Sequence, residues 1–145
     1  MSVITFTTCT IEQAKRFILY LIFPIGPRDI RLANGDNVRE GRVEVFNDGE
    51  WGTVCDDGFT NVDAKVVCRQ LGFTGAFATV ADTNQHRRRF GRGDGRIWLD
   101  DIACDGTETE LWECPNSGWG NNNCEHLEDV AVFCEEMEPE PEPGI

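Results

Sequence analysis

Six cysteines constrain this chain more than any other feature. Cys55, Cys68, Cys104, Cys114, Cys124 and Cys134 follow one another at intervals of 13, 36, 10, 10 and 10 residues. None are arranged as C-x-x-C, so a zinc site would have to be assembled from scattered thiols with His126, and disulfide bonding is the better reading. Six cysteines can pair in fifteen ways, and spacing alone does not select among them. At 145 residues the chain has room for one domain of ordinary size, and 15 glycines beside the cysteines indicate a loop-rich fold held by covalent staples. Such a framework persists in oxidising surroundings, which predicts a secreted or cell-surface location. Cys9 stands outside the framework, in a stretch that reads as a leader.

Charge and composition narrow the function. The chain carries 26 acidic against 13 basic side chains, net −13, with Lys15 and Lys65 its only lysines. That balance disfavours nucleic acid as a partner. Ser2 and Ser117 are the only serines, His86 and His126 the only histidines, and no nucleophile elbow, zinc-protease helix or phosphate-binding glycine loop is present. A self-contained metalloenzyme would need an open coordination site with a general base, and no such set is found. The chain is therefore expected not to be an enzyme.

Composition divides the chain into three zones: a leader or signal-like segment (1–27), a cysteine-rich domain (28–135) and an acidic Pro-Glu tail or linker (136–145). The apolar run from Phe17 to Ile25, preceded by Lys15 and Arg16, suits the core of a secretory leader or marks a fragment boundary, and is too short to span a bilayer. The domain itself is not expected to insert into membrane. The tail alternates acid with proline and so can form neither helix interior nor sheet ladder. Acidity is not confined to it, because residues 28–134 hold 20 acidic against 11 basic side chains.

Within the domain, Gly41-Arg-Val-Glu-Val-Phe46 alternates, Asn47-Asp48-Gly49 supplies hairpin chemistry, and Trp51-Gly-Thr-Val-Cys55 follows as the partner strand. Residues 30–33, 96–99 and 130–134 are further strand candidates. Thr60 to Asp63 forms a capping-box pattern, Ala64, Val67, Cys68 and Leu71 share one helical face, and Gly72 is placed to end the helix. A short helical turn is expected at Thr109–Glu113.

These residues carry a resemblance. Gly41-Arg-Val-Glu-Val, Trp51-Gly-Thr-Val-Cys-Asp-Asp57, Ala64-Lys-Val-Val-Cys-Arg-Gln-Leu-Gly72, Ile97-Trp-Leu-Asp-Asp101, Leu111-Trp-Glu-Cys114, Gly118-Trp-Gly120 and Asn123-Cys-Glu-His-Leu-Glu-Asp129 resemble the scavenger receptor cysteine-rich domain over about residues 28–135. Arg39 and Phe73 stand where the eight-cysteine form has its extra pair, so the chain is similar to the six-cysteine group, group A. The resemblance implies the bridges Cys55–Cys124, Cys68–Cys134 and Cys104–Cys114. It also implies an α+β fold: a small disulfide-stapled domain whose curved, mainly antiparallel sheet cradles one α-helix, with long loops.

The resemblance further implies a cation site at Asp56, Asp57 and Glu128, and a second near Asp100 and Asn123, although Thr60 replaces an additional Asp found in some members. If Cys55 pairs with Cys124, Asp56-Asp57 and Glu128-Asp129 are drawn together. Oxygen-only ligands suit Ca²⁺ or Mg²⁺, and a Ca²⁺ site of modest affinity is expected; the alternative is a solvated acidic face.

Five arginines, Arg87, Arg88, Arg89, Arg92 and Arg96, fall within ten residues of this otherwise acidic domain, on what reads as an extended loop. They could hold sulfate, phosphate or carboxylate groups, or merely neutralise neighbouring acids. Arg92-Gly93-Asp94 spells an integrin-recognition tripeptide but reads as a coincidence in a glycine-rich turn. Val43, Val45 and Trp51, in a segment linked in the family to bacterial binding, are explained by packing, and Trp98, Trp112 and Trp119 read as anchors. The expected function is capture of polyanionic or microbial surface ligands with calcium assistance. The rival is a non-catalytic protein-interaction domain of a larger mosaic protein, such as a secreted protease or amine oxidase.

Overall fold

The computed structural model describes residues 26–74, 77–81 and 83–135, with Ile11, Pro143 and Gly144. Cys9, the apolar run 17–25, nearly all of the Pro-Glu tail and the side chains of His86 and Arg87 lie outside the described residues.

Six strands, β1 (Asp29–Ala33), β2 (Glu40–Asn47), β3 (Glu50–Val54), β4 (Phe77–Val80), β5 (Ile97–Leu99) and β6 (Ala131–Glu135), form one sheet in the order β4-β6-β2-β3-β5, with β1 also on β2. Every pair is antiparallel except β3 with β5. Arg42 is paired with both Ala33 and Ala131, and Glu44 with both Arg31 and Thr53. A strand has only two edges, so β1 runs along one edge of β2 while β6 and β3 share the other in succession. The hairpin between β2 and β3 turns through Asp48 and Gly49, at φ 48° and 80°. Both central residues are left-handed, the conformation whose twist matches the flanking strands.

Helix α1 (Asn61–Gln70) lies where the capping pattern placed it. Thr60 Oγ1 accepts a hydrogen bond from Val62 N, and Asp63 Oδ2 accepts one from Thr60 N at 2.7 Å. At the other end Phe73 N donates to Cys68 O at 2.9 Å and Gly72 N to Arg69 O at 3.0 Å, around Gly72 at φ 96°. This paired closure requires the left-handed residue that glycine supplies without strain. Ala64, Val66 and Val67 of α1 pack with Val43, Val45, Val54, Leu99 and Val132 from the sheet to make the main core.

The arginine-rich stretch is not an extended loop. Thr83–Phe90 forms a second helix, α2. Its only apolar side chain is Phe90, which is 1% exposed and stands edge-on to Phe133 in a small second core with Ala81 and Ala131. One anchor has no period, so no apolar stripe marks the helix in the sequence. Strand β4 also escaped the sequence reading, being four residues long with a single buried side chain, Ala78. The expected turn near Thr109 is a 3₁₀ turn at Leu111–Glu113, and another occurs at His126–Glu128.

Three disulfides close the fold: Cys55–Cys124, Cys68–Cys134 and Cys104–Cys114, with Cα separations of 6.3, 5.5 and 4.7 Å. These are the pairs that the resemblance implied. The first joins the end of β3 to the loop before β6, the second joins α1 to β6, and the third closes a loop of its own.

Candidate functional site

The acidic site is built from the end of β3 outward. Cys55 is fully buried, its N–H donates to Leu99 O at 2.9 Å, and the next amide, Asp56 N, donates to Glu128 O at 2.7 Å. Those bonds and the disulfide set the Asp56 and Glu128 backbones side by side. The chain then turns through Gly58, at φ 71°, with Phe59 N donating to Asp56 O at 3.0 Å, and this turn carries Asp57. One carboxylate oxygen from each of Asp56, Asp57 and Glu128 lies within 4.8 Å of the others. Asp100, just past β5 and 1% exposed, offers an oxygen within 4.8 Å of Asp57. Cys55 borders both groups and Cys124 the one with Asp100, but their sulfurs are spent in the bridge. The donor set is therefore all oxygen, which fits a hard cation and not zinc.

Burial holds the Asp57 carboxyl above its ordinary range, and the neighbouring charges of Glu128, Asp100, Asp56 and Asp101 push it the same way. Asp101, which the sequence reading did not select, belongs to this field. Asn123 is exposed beside the same bridge, its Oδ1 3.7 Å from Cys124 Sγ. Asp129 does not join the cluster its neighbour Glu128 enters. Its Oδ2 accepts from Gly93 N at 2.7 Å and lies 3.0 Å from His126 Nδ1, on the opposite side of the 126–128 turn. Consecutive residues after a 3₁₀ turn face different ways, so the pair Glu128-Asp129 could not act as one unit.

The four arginines whose side chains are described do not form one patch. Arg89 pairs with Asp36 at 2.7 Å and with buried Glu40 at 2.8 Å, tying α2 to β2. Arg96 pairs with Glu50 at 2.9 Å and lies over the Trp98 ring. Arg88 and Arg92 are exposed and line a cleft with His126, Leu127 and Asp129. Gly93, the middle of the Arg-Gly-Asp tripeptide, is buried against Thr53, so the tripeptide is no projecting loop.

On β2, Val43 and Val45 are fully buried, whereas Trp51 on β3 is half-buried, tilted against Phe46 with ring centroids 5.3 Å apart and with Arg31 over its ring. The alternate β2 side chains build an ion network that sequence alternation concealed. Glu44, 6% exposed, accepts from Arg31 Nη2 at 2.6 Å and Arg42 Nη2 at 2.9 Å, and Arg42 Nη1 donates to Phe90 O at 2.7 Å. Trp98 is buried, and Trp119 packs between it and Trp112, with Arg28 over the Trp119 ring.

A family model for the scavenger receptor cysteine-rich domain matches residues 33–135, which hold strands β2 to β6 and all three bridges. The chain belongs to that family. A scavenger receptor cysteine-rich domain superfamily protein of Patiria pectinifera is 50% identical over 106 residues, covering 73% of this chain and 9% of its own length. Lysyl oxidase homolog 4 of Bos taurus is 48% identical over 111 residues, covering 76% of this chain and 14% of its own length. The chain thus spans a small part of the curated relatives it matches. Among solved structures, the third such domain of murine neurotrypsin superposes with a TM-score of 0.66 at 45% identity, over 77% of this chain and all of that one. The domain of mouse MARCO, in a dimeric form, gives 0.58 at 40% identity, over 77% and 91%. Scavenger receptor cysteine-rich domains are extracellular interaction modules, generally non-catalytic, and the lysyl oxidase relative is matched only in this part. Among the described residues no helix is long and apolar enough to cross a membrane.

Proposed function

We propose that this scavenger receptor cysteine-rich domain captures polyanionic or microbial surface ligands outside the cell, with Ca²⁺ bound by Asp56, Asp57 and Glu128 assisting. Within the family it belongs with the six-cysteine group A, on the strength of Arg39 and Phe73 at the places of the missing pair. The observation that carries the reading is the convergence of three carboxylates within 4.8 Å at one disulfide. Uncompensated charges that close repel one another, and a hard cation relieves the repulsion. When bound, the ion supplies positive charge to which an anionic ligand oxygen can attach. Asp100 reaches the cluster through Asp57, and Asn123 contributes an amide oxygen beside the bridge. Surface loops supply few ligands, so affinity is expected on the order of 10⁻⁴–10⁻³ M, as in other extracellular modules. Calorimetric titration of calcium should give binding heat and a raised melting temperature for the wild type, and neither for Asp57→Asn. No heat and no rise at several millimolar calcium would remove the ion from the account.

The small share of each relative that the chain spans supports a second reading, in which this module serves as an accessory interaction domain of a longer mosaic protein. The two are compatible, since a capture module can direct a catalytic neighbour to its substrate. Binding of the domain to sulfated polymer or bacterial surface, absent for a neutral polymer, supports capture; binding to proteins alone supports the accessory role.

A further inference from the structure

Helix α2 ends at Phe90, and Gly91 at φ 68° turns the chain so that Arg92 follows Arg88 along the border of a cleft of about 430 Å³. The opposite wall is the turn carrying His126 and Leu127, with Asp129 beneath. This volume lies in the range of pockets that enclose a single small ligand, and far below what a polymer occupies. No ion pair or hydrogen bond joins the side chain of Arg88 or Arg92 to any described residue, in contrast to Arg89 and Arg96, which are held by acids. The acid that does line the cleft is already engaged. Asp129 is 2% exposed at its side chain, and its oxygens face Gly93 N and His126 Nδ1. His126 Nε2 in turn faces Gly95 O at 3.0 Å, so both ring nitrogens are committed to the protein. Two guanidinium forks remain to meet a ligand, and Leu127, 39% exposed, offers an apolar wall beside them.

From this arrangement we infer that the cleft between α2 and the 126–128 turn binds one oxyanion, sulfate or carboxylate, on a single terminal sugar. Charge as well as size selects a single group. A long polyanion crossing this domain would meet a net negative molecule, with 20 acidic against 11 basic side chains between residues 28 and 134. Exposed charges act over about 8 Å at physiological ionic strength, so a single anionic group seated between two arginines escapes most of that repulsion while the rest of a polymer does not. Guanidinium forks match the planar or tetrahedral oxygens of both groups, and Leu127 suits the CH-rich face of a sugar ring. The inference rests on the proposed anion-capturing role and narrows its ligand.

The test uses the oxidised 145-residue chain, labelled for amide NMR and titrated with N-acetylglucosamine 6-sulfate, N-acetylneuraminic acid and neutral N-acetylglucosamine. One or both acids should shift the amides of Gly91, Arg92, Leu127 and Asp129, and the neutral sugar should not; which acid binds identifies the source of the oxyanion. Affinity should fall at least tenfold in Arg88→Ala/Arg92→Ala, stay unchanged in Lys65→Ala, and persist in chelator because the acidic cluster is not used. Both variant arginines are exposed, and an unchanged melting temperature will certify the fold. Shifts mapping elsewhere, or a double variant that binds the acids as before, would overturn the inference. Dextran sulfate measured on the same samples separates the two proposals: polymer binding without sugar binding sinks the cleft alone, and loss of both sinks the anion-capturing role as well.

Discussion

Asp57 shows how a single residue reports on the site around it. Its carboxyl is held above the ordinary value of 3.8 by burial first and then by four neighbouring acids. An acid whose folded value is raised holds its proton more tightly folded than unfolded. Its contribution to stability is whole below 3.8 and is lost as pH rises through the higher folded value. In chelator, therefore, the melting temperature of the wild type should fall relative to Asp57→Asn as pH climbs from below 3.8 to 7, and parallel curves would show that the carboxylate is not strained. Gly52 is a second telling position. A Cβ there would press on the Trp98 ring and lie 2.5 Å from Arg96 O. Gly52→Ala should cost about 1–3 kcal/mol through overpacking between β3 and β5, read as a lower urea midpoint with an unchanged slope.

The two helices differ in what holds them. Helix α1 has a complete capping box, a glycine closure and five buried residues, among them Asp63 at 1% exposed. Asp63 does more than cap: its Oδ1 accepts from Cys104 N at 2.7 Å, fastening the third disulfide loop to the helix start. Thr60→Ala should cost roughly 1 kcal/mol as a lost cap, whereas Asp63→Ala, which removes the carboxylate and leaves the part-buried Thr60 and Cys104 amides without their acceptor, should cost about 2 kcal/mol; urea unfolding distinguishes them. Helix α2 depends on Phe90 in its small core and on Arg89 pairing with Asp36 and Glu40. Phe90→Ala should cost roughly 3 kcal/mol, and amide exchange should speed up across α2 while α1 stays protected. Equal loss of protection in both helices would mean that α2 is no separate unit.

At the scale of the whole molecule the bridges unite fold and site. Cys55–Cys124 spans 69 residues of sequence and Cys104–Cys114 only 10. Restricting the unfolded chain favours the longer loop, about 4 kcal/mol against about 3. The paired replacement Cys55→Ala/Cys124→Ala should therefore destabilise more than Cys104→Ala/Cys114→Ala. It should also weaken the calcium response, because Asp56 and Asp57 would lose their covalent tether to the loop that carries Glu128 and keep only the Asp56 N to Glu128 O hydrogen bond. Peptide mapping without reduction should recover the three bridges, and a main species joining Cys55 to Cys68 would contradict the fold.

Local chemistry wrote the hairpin at Asp48-Gly49, the start and stop of α1 and the alternation of β2 directly into the sequence, because each depends on residues a few positions apart. The pairing of the cysteines did not follow from spacing and entered only through the resemblance. Helix α2 was invisible because its one apolar side chain, Phe90, packs on Phe133, 43 residues away. The tertiary fold alone divided the arginines into those tied to acids and the two that face a cleft, and turned Glu128 and Asp129 to opposite sides of one turn. Charge that looks continuous along a chain is separated in space by whichever partners the packing brings near, and those partners are set by contacts between distant segments that no local pattern records.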